Sequence, residues 1–202
     1  MGQSPIEKGV IYMAALPLRQ DSYTYADICA MRDDIRRELI DGVIYNMAAP
    51  TNTHQDITGE IFSQLKNFLR GKKCKVYISP FDVRLNADES DDTVVQPDIL
   101  VICDPKILDP KDRGCRGAPD LVVEVLSKST AYMDRHVKFK KYLEAGVKEY
   151  WVVDPMNQFI DAHILENGKY NRHDYYRTDI LPVHVLEGCE IDLSEVFEEE
   201  EF

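Results

Sequence analysis

The sequence lacks the long apolar runs and paired cysteines that mark several classes of protein. No stretch of about 18 apolar residues is present, so we expect no membrane-spanning helix and no membrane partner. Residues 1–15 lack a basic region followed by an apolar segment and a cleavage site, so no secretory signal is predicted there. The five cysteines are scattered without a C-x-x-C pair, which argues against a structural zinc site. We therefore expect a cytoplasmic protein with reduced thiols.

Positive charge is also scarce. The formal net charge is -12 at pH 7, which argues against a generic nucleic-acid-binding protein because such proteins usually carry a basic surface. Nine acidic residues and no lysine or arginine lie between Thr178 and Phe202. We predict an acidic C-terminal segment over residues 178–202, in which Glu198–Glu201 is a solvated tail. The 202 residues are predicted to form a single domain with its core over about residues 23–177.

The hydrophobic periodicity predicts helices that alternate with strands. Helical spacing occurs in three segments: Tyr23–Met31, the residues from the caps at Thr51–Thr53 to Gly71, and Met133–Ala145. Asp41-Gly42 and Asn167-Gly168 each separate two strand-like runs and predict hairpins. The order of these segments predicts an α/β fold in which a mixed β-sheet is flanked by helices, with an N-terminal hairpin and a C-terminal hairpin.

Two acidic residues lie in apolar, strand-like runs. Asp98 follows Pro97 in the run 94–102, and Glu124 lies in the run 119–126. Burial of a lone carboxylate costs several kcal/mol, so each needs a cation, a hydrogen-bond donor or a proton. Two carboxylates on neighbouring strands would repel each other, and a bound metal ion would reconcile them. The pattern therefore indicates a metal-dependent active site on a sheet.

Each acid also has a simpler interpretation. Asp98 after Pro97 could begin or bend a strand, because Pro-Asp pairs are common at turns. Glu124 could be the partner in an internal salt bridge. Asp120 repeats the Pro-Asp pair four residues before Glu124, too far along a strand to share one metal ion, so it is predicted to lie at a strand start or in a loop.

Several short segments occur together in a characteristic order. They are Glu38–Gly42, His54, Pro97-Asp98, Pro119–Val125, Asp134–Lys138, Tyr142–Val147 and Glu149–Pro155. On this ordered set, the chain resembles the Uma family of restriction endonucleases, within the PD-(D/E)XK nuclease superfamily, over roughly Tyr23 to Asp154. The resemblance implies a restriction-endonuclease-like core and a metal-dependent endonuclease that hydrolyses phosphodiester bonds in DNA.

The site lysine departs from the superfamily pattern. That pattern places a lysine two residues after the second acid, on the same face of the strand, but the residue here is Leu126. The resemblance implies that the lysine has moved to Lys138 in the following helix, with Lys141 and Lys128 as alternatives. A lysine that acts only on charge developed during the reaction should be dispensable for the fold.

The residue types then suggest a ligand set. Carboxylate oxygens suit Mg²⁺ or Mn²⁺, so Asp98 and Glu124 are predicted to hold the metal ion. The resemblance adds the backbone carbonyl of Val125 as a ligand and Glu38 as a direct or water-mediated contact. His54 is predicted to cap or pack a helix start, or to contact phosphate. Cleavage of both DNA strands would favour a homodimer.

Two other classes of function remain open. A non-catalytic relative would keep the fold as a binding or regulatory module, and Leu126 and the negative net charge favour it. A glycosidase would use two carboxylates, but it explains neither the lysine nor the placement of the acids on strands. The distance between the carboxylates of Asp98 and Glu124 is the most useful discriminating measurement, and 3 to 5 Å is roughly what one shared ion requires.

Overall fold

The structure is a computed structural model that describes residues 22–111 and 114–197. The predictions for residues 1–15 and for the Glu198–Glu201 tail lie outside the described residues. In chain order the strands are β1 (Arg37–Ile40), β2 (Val43–Asn46), β3 (Lys75–Ile78), β4 (Val83–Arg84), β5 (Val94–Val95), β6 (Ile99–Ile102), β7 (Cys115–Arg116), β8 (Leu121–Val125), β9 (Glu149–Asp154), β10 (Phe159–Glu166), β11 (Lys169–Tyr176), β12 (Ile180–Pro182) and β13 (Glu190–Asp192). The helices are α1 (Tyr25–Ala30), α2 (Asn52–Phe68), α3 (Phe139–Ala145) and α4 (Leu193–Val196), with a 3-10 turn at Pro105–Ile107 and a π-helical segment at Met133–Lys138.

The main sheet has six strands in the order β11-β10-β9-β8-β6-β3. The β8 and β9 strands are parallel, and the other neighbours are antiparallel, so the predicted mixed sheet is confirmed. All five residues of β8 are buried. Its β-branched and aliphatic residues suit a strand covered on both faces. Among the described residues, no helix has both the length and the apolar character needed to cross a membrane.

A second sheet carries the N-terminal hairpin, with strands in the order β2-β1-β5-β4-β7. Asp41 and Gly42 have φ angles of 50° and 74°, the left-handed values that a type I′ turn requires at both central positions. The twist of this turn matches that of the flanking strands, so the local sequence determines the register of β1 on β2. The hairpin thereby fixes Glu38 in β1.

The apolar run around Asp98 forms two strands rather than one. The β5 strand belongs to the second sheet and β6 to the main sheet, and Gln96, Pro97 and Asp98 connect them. Pro97 has no N–H group and cannot extend a ladder on both sides. The prediction that Asp98 lies within a strand is therefore wrong, because Asp98 occupies the corner just before β6.

Helices cover the two faces of the main sheet. On one face, Ile57, Ile61 and Leu65 of α2 pack with Leu121 and Val123 of β8. On the other face, Tyr142 of α3 packs with Val122 and Tyr150. Because successive side chains of a strand alternate between faces, Glu124 lies on the same side as Val122, towards α3.

The segment predicted as one helix from Met133 to Ala145 has two parts. Its first turn and a half, Met133–Lys138, is π-helical, and the regular helix α3 begins at Phe139. Hydrophobic spacing cannot distinguish a π-helical turn from an α-helical one over six residues. The helix ends as expected before Gly146, whose φ of 84° is a left-handed conformation that favours glycine.

The acidic C-terminal segment contributes to the core. The β12 and β13 strands form a two-stranded sheet, followed by α4. Leu181, Ile191 and Leu193 are fully buried against the α2 face of the main sheet. The packed core thus continues from residue 177 to Phe197, since apolar residues alternate with the acids of this segment.

The prediction of reduced thiols is wrong for two cysteines. Cys74 precedes β3 and Cys103 follows β6, and the antiparallel register that pairs Lys75 with Ile102 brings the two cysteines side by side. A disulfide joins them across a sequence separation of 29 residues. Neither spacing nor sequence context indicated this pair, because the contact depends on how β3 and β6 pair. Cys29, Cys115 and Cys189 are free.

Candidate active site

Glu124 is the centre of a buried polar cluster between β8 and the helix that follows it. Its side chain is only 3% exposed, and Oε1 accepts hydrogen bonds from Nζ of Lys138 at 3.0 Å and from the hydroxyl of Tyr142 at 2.7 Å. Burial raises the pKa of Glu124 well above its usual value. The charge of Lys138 opposes this increase in pKa, while the charges of Asp134, Asp98 and Glu38 add to it.

Lys138 contacts three carboxylates at once. Its Nζ atom lies 2.9 Å from Glu38 Oε1, 3.0 Å from Glu124 Oε1 and 3.2 Å from Asp134 Oδ1. Burial alone would lower the pKa of Lys138, but the three carboxylates raise it well above its usual value, so the amine is charged. This buried ion cluster argues against the expectation that Lys138 is dispensable for the fold, because unpaired buried charges are costly.

Glu38 joins the second sheet to this cluster. Its Oε1 atom accepts a hydrogen bond from the backbone N–H of Gln96 at 2.9 Å, in addition to the ion pair with Lys138. Gln96 stands two residues before Asp98 in the link between β5 and β6. The short link between the sheets therefore positions an acid from each sheet beside the same lysine.

Asp98 is held at the end of β8 by two partners. Its Oδ2 atom accepts a hydrogen bond from the backbone N–H of Val125 at 2.8 Å and lies 3.1 Å from Nε2 of His54. His54 is in the first turn of α2, where its backbone N–H donates to the cap residue Thr51. Burial alone would lower the pKa of His54, but its hydrogen bond to Asp98 and the charge of Asp98 raise it overall.

Asp98 and Glu124 lie within electrostatic reach of each other. The carboxylate of Asp98 accepts from the backbone N–H of Val125, the residue that follows Glu124. The charge of Asp98 adds to the increase in the pKa of Glu124. The expected separation of 3 to 5 Å between their nearest oxygens remains a prediction, stated roughly from metal–ligand bond lengths.

The donor set fits a hard divalent cation that keeps water ligands. Asp98 and Glu124 supply carboxylate oxygens, the type that Mg²⁺ and Mn²⁺ prefer. Within residues 22–111 and 114–197, no group of three or more His, Cys, Asp or Glu side chains is arranged to hold a metal ion. With Asp98 and Glu124 as the only two carboxylate ligands, most coordination positions of Mg²⁺ would be left to water, as is usual for this ion.

The other candidate lysines lie away from this cluster. Lys141 donates to Asp41 Oδ1 at 2.6 Å and pairs with Glu144. Lys128 is exposed beyond the end of β8. Asp120 is also engaged elsewhere, since its carboxylate accepts from the backbone N–H of Cys103 and from Lys148. Of the three lysines considered, only Lys138 contacts Glu124.

Sequence reasoning gave no role to Asp134 or Tyr142. Asp134 is 2% exposed and Tyr142 is fully buried, and both contact the Lys138–Glu124 pair. The signal was present in the spacing, because Asp134, Lys138 and Tyr142 follow one another at four-residue intervals and share one helix face. The sequence around Asp134 did not indicate that this acid is buried.

The two sheets and their flanking helices form a fold of the restriction-endonuclease-like class. The chain belongs to the Uma2 family, described as "Putative restriction endonuclease", whose match extends over residues 22–194. The match reaches 40 residues beyond Asp154, where the resemblance of the sequence faded, and it includes β12 and β13.

Two relatives are similar to the chain over more than half of its length. The protein slr1290 of Synechocystis sp. is 30% identical over 148 residues, which cover 72% of this chain and 75% of that protein. A second Synechocystis protein, sll1609, is 30% identical over 121 residues, or 59% of this chain and 66% of that protein. Both are described as uncharacterized.

A solved structure shares the fold. The crystal structure of "a putative nuclease belonging to DUF820" from Anabaena variabilis superimposes with a TM-score of 0.69 and 17% sequence identity. The superposition covers 85% of this chain and 94% of that chain. Together with the family match, this likeness supports a nuclease, and a nuclease family implies a nucleic acid substrate.

Proposed function

We propose that this protein is a metal-dependent endonuclease that hydrolyses phosphodiester bonds in DNA. The observation that carries the proposal is the contact of Lys138 with Glu124 at 3.0 Å. In the superfamily pattern the acid and the lysine lie on the same strand. Here the lysine lies on the helical segment after the strand and still contacts the acid. The neighbouring Asp98 completes the set of two acids and one lysine.

Asp98 and Glu124 would hold the Mg²⁺ or Mn²⁺ ion. The family resemblance adds the backbone carbonyl of Val125, whose own N–H already binds Asp98. When bound, such an ion lowers the pKa of a coordinated water and neutralises phosphate oxygens. Burial raises the pKa of Glu124 and the charges of Asp134, Asp98 and Glu38 add to that increase; a bound cation would relieve the repulsion among these carboxylates, which supports the assignment.

The other residues of the site would orient the metal ligands and balance their charge. Lys138 carries a positive charge next to Glu124 and would position the attacking water or stabilise the charge that develops on the phosphate. His54 pairs with Asp98 and would fix the direction of that carboxylate. Glu38, held by the backbone N–H of Gln96 and paired with Lys138, would contact the ion directly or through a water, as the family resemblance implies.

DNA in the cytoplasm is the proposed substrate, and a homodimer with two-fold symmetry would allow cleavage of both strands. The acidic character of the chain does not oppose this. Nine acidic residues fall in the region from Thr178 to Phe202, whereas the site is formed by residues between Glu38 and Tyr142.

Plasmid cleavage tests the proposal. Wild-type protein should convert supercoiled plasmid to nicked or linear DNA with Mg²⁺ or Mn²⁺, and should not do so in excess chelator. Asp98→Asn and Glu124→Gln should lower the rate by about 10²-fold or more, as expected for groups that act on charge in the transition state. Lys140 is an exposed lysine in α3, and Lys140→Ala serves as the control that should retain full activity.

The same experiment distinguishes a nuclease from a protein that binds nucleic acid without cutting it. If wild-type protein cleaves no DNA or RNA with either ion, and calorimetry detects no binding of Mg²⁺ or Mn²⁺, the nuclease proposal fails. The acid–lysine cluster would then be a structural ion network in a nuclease fold that binds without cutting.

A further inference from the structure

The proposed function assigns no role to Asp134, the third acid that contacts Lys138. It is 2% exposed and lies one helical step, four residues, before Lys138. Burial raises its pKa, and the charge of Lys138 opposes that increase. Since a buried carboxylate is costly unless it is paired, its position beside Lys138 calls for a specific role.

The backbone of Asp134 is fixed from two directions. Its N–H donates to the carbonyl of Thr130 at 3.0 Å, and its carbonyl accepts from the buried hydroxyl of Tyr150 at 2.9 Å. The residue lies in the π-helical segment Met133–Lys138. Single π-helical turns within helices are frequent at functional sites. Asp134 is therefore a rigid partner for Lys138, held by the main sheet through Tyr150.

The three carboxylates around Lys138 are not equivalent. Glu124, and by resemblance Glu38, are the ones assigned to the divalent cation, whereas Asp134 is not. The Nζ–Oδ1 contact of Asp134 is also the longest of the three, at 3.2 Å. Oδ1 of Asp134 is itself buried, so its ion pair with Lys138 is shielded from water.

We infer that Asp134 is the positioning residue that holds the ammonium group of Lys138 in the site when a divalent cation takes Glu124. This inference rests on the proposed function. An ammonium group has three donors, and here it has three acidic neighbours. A cation held by Glu124 and, directly or through a water, by Glu38 would compete with Lys138 for these two carboxylates and would repel the ammonium group. Asp134 is then the remaining counter-ion that no metal ligand shares, and it keeps Lys138 beside β8.

The reactivity of Lys138 towards an amine-specific reagent tests this role without measuring catalysis. Labelling is followed by peptide mass spectrometry, with and without saturating Mg²⁺. In wild-type protein Lys138 should be protected in both conditions. In Asp134→Asn it should be protected without Mg²⁺, because Glu38 and Glu124 remain. With Mg²⁺ it should react about tenfold faster or more, the factor expected for loss of a hydrogen bond between charged groups.

Conservative variants and an internal reference keep the test specific. Asp134→Glu should restore protection, which a purely steric role would not predict. Tyr150→Phe, which frees the Asp134 carbonyl and keeps the charge, should give an intermediate labelling rate. Lys141 in the same samples should label equally in all variants, and Glu149→Gln is the matched control for loss of a buried acid elsewhere in the main sheet.

Kinetics provide an independent readout. Asp134→Asn should lower kcat about tenfold or more with little change in KM, because the ammonium group is misplaced in the reaction rather than in DNA binding. If Mg²⁺ binds and Lys138 of Asp134→Asn labels at the wild-type rate, the inference fails while the metal site stands. If wild-type protein binds neither Mg²⁺ nor Mn²⁺ in calorimetry, the proposed function and this inference fail together.

Discussion

The Nζ atom of Lys138 lies 3.0 Å from Oε1 of Glu124, although the two residues are 14 positions apart and lie on different elements. A lysine two residues after the acid would have reached the same place from within β8. Here Leu126 occupies that position, and Lys138, in the π-helical segment after β8, supplies the positive charge instead. The chemistry of the pair is kept while the element that supplies the lysine has changed.

Removal of Lys138 should strongly destabilise the protein. Lys138→Ala leaves Glu38, Glu124 and Asp134 buried without their shared cation, so we expect a loss of about 3–5 kcal/mol in the free energy of unfolding. Lys141→Ala removes a lysine whose partner, Asp41, is exposed to solvent, and should cost about 0.5 kcal/mol or less. Denaturant unfolding in excess chelator measures both.

Addition of Mg²⁺ should return part of the stability lost in Lys138→Ala, because a bound cation replaces the missing positive charge. A Lys138→Ala protein within about 1 kcal/mol of wild type would show that the cluster is solvated in solution, since exposed ion pairs contribute that little.

Glu124→Gln should become more stabilising as the pH rises. The folded-state pKa of Glu124 is raised, so its contribution to stability is present at low pH and is lost as the pH rises through that pKa. Glutamine does not titrate and still accepts from Tyr142 and Lys138. The difference in unfolding free energy between Glu124→Gln and wild type should therefore increase above about pH 4.5, with a slope of at most about 1.4 kcal/mol per pH unit.

Unfolding in denaturant at several values between pH 4 and 9, without divalent cations, measures this difference. A variant less stable than wild type across the whole range would identify Glu124 as a required structural counter-ion of Lys138.

The sequence predicted those features that depend on local chemistry. Asp41-Gly42 and Asn167-Gly168 adopt the left-handed φ angles that their residue types suggested, and both hairpins formed as expected. Glu124 lies in a buried strand because its neighbours are β-branched. The placement of Lys138 came from the family resemblance, and helical spacing alone could not have chosen it over Lys141.

Features that depend on long-range pairing were not predictable in the same way. Pro97 could either begin or bend a strand, and only the assembly of two sheets places Asp98 at their corner. Cys74 and Cys103 meet because β3 and β6 are neighbours, a relationship that neither segment encodes. Asp134 is buried beside Lys138 and Tyr150, and the four-residue spacing to Lys138 shows which helix face it shares but not that this face is buried.

The Cys74–Cys103 disulfide should contribute measurably to stability. The chain-entropy relation for a loop of 29 residues gives about 3–4 kcal/mol. Cys74→Ser should therefore lower the unfolding free energy by about that amount under non-reducing conditions, and little once reductant is present. Cys29→Ser changes an exposed free cysteine and is the matched control.

Thiol titration of denatured wild-type protein counts the free cysteines directly. Three of the five cysteines should react without reductant and all five after reduction. Five reactive thiols before reduction, in protein never exposed to reductant, would contradict the pairing.

Asp98 should behave differently from Glu124, because it accepts a hydrogen bond from the backbone N–H of Val125 and pairs with His54. Asp98→Asn weakens the hydrogen bond from Val125 and the ion pair with His54, so we expect a loss of about 1–2 kcal/mol instead of a gain. The pKa of His54 is raised in the folded protein, so its contribution to stability is present below about pH 6.5 and disappears as the pH rises through the folded-state pKa.

The pH dependence identifies the partner. The stability difference between wild type and Asp98→Asn should be largest near pH 5.5 and should shrink by pH 8.5. In a His54→Ala background, Asp98→Asn should cost less, and the pH dependence of its cost should vanish. A double-mutant cycle at both pH values should give a coupling energy of about 1 kcal/mol at the lower pH. Equal costs in the two backgrounds would mean that His54 and Asp98 do not interact in solution and that the backbone of Val125 alone holds the carboxylate.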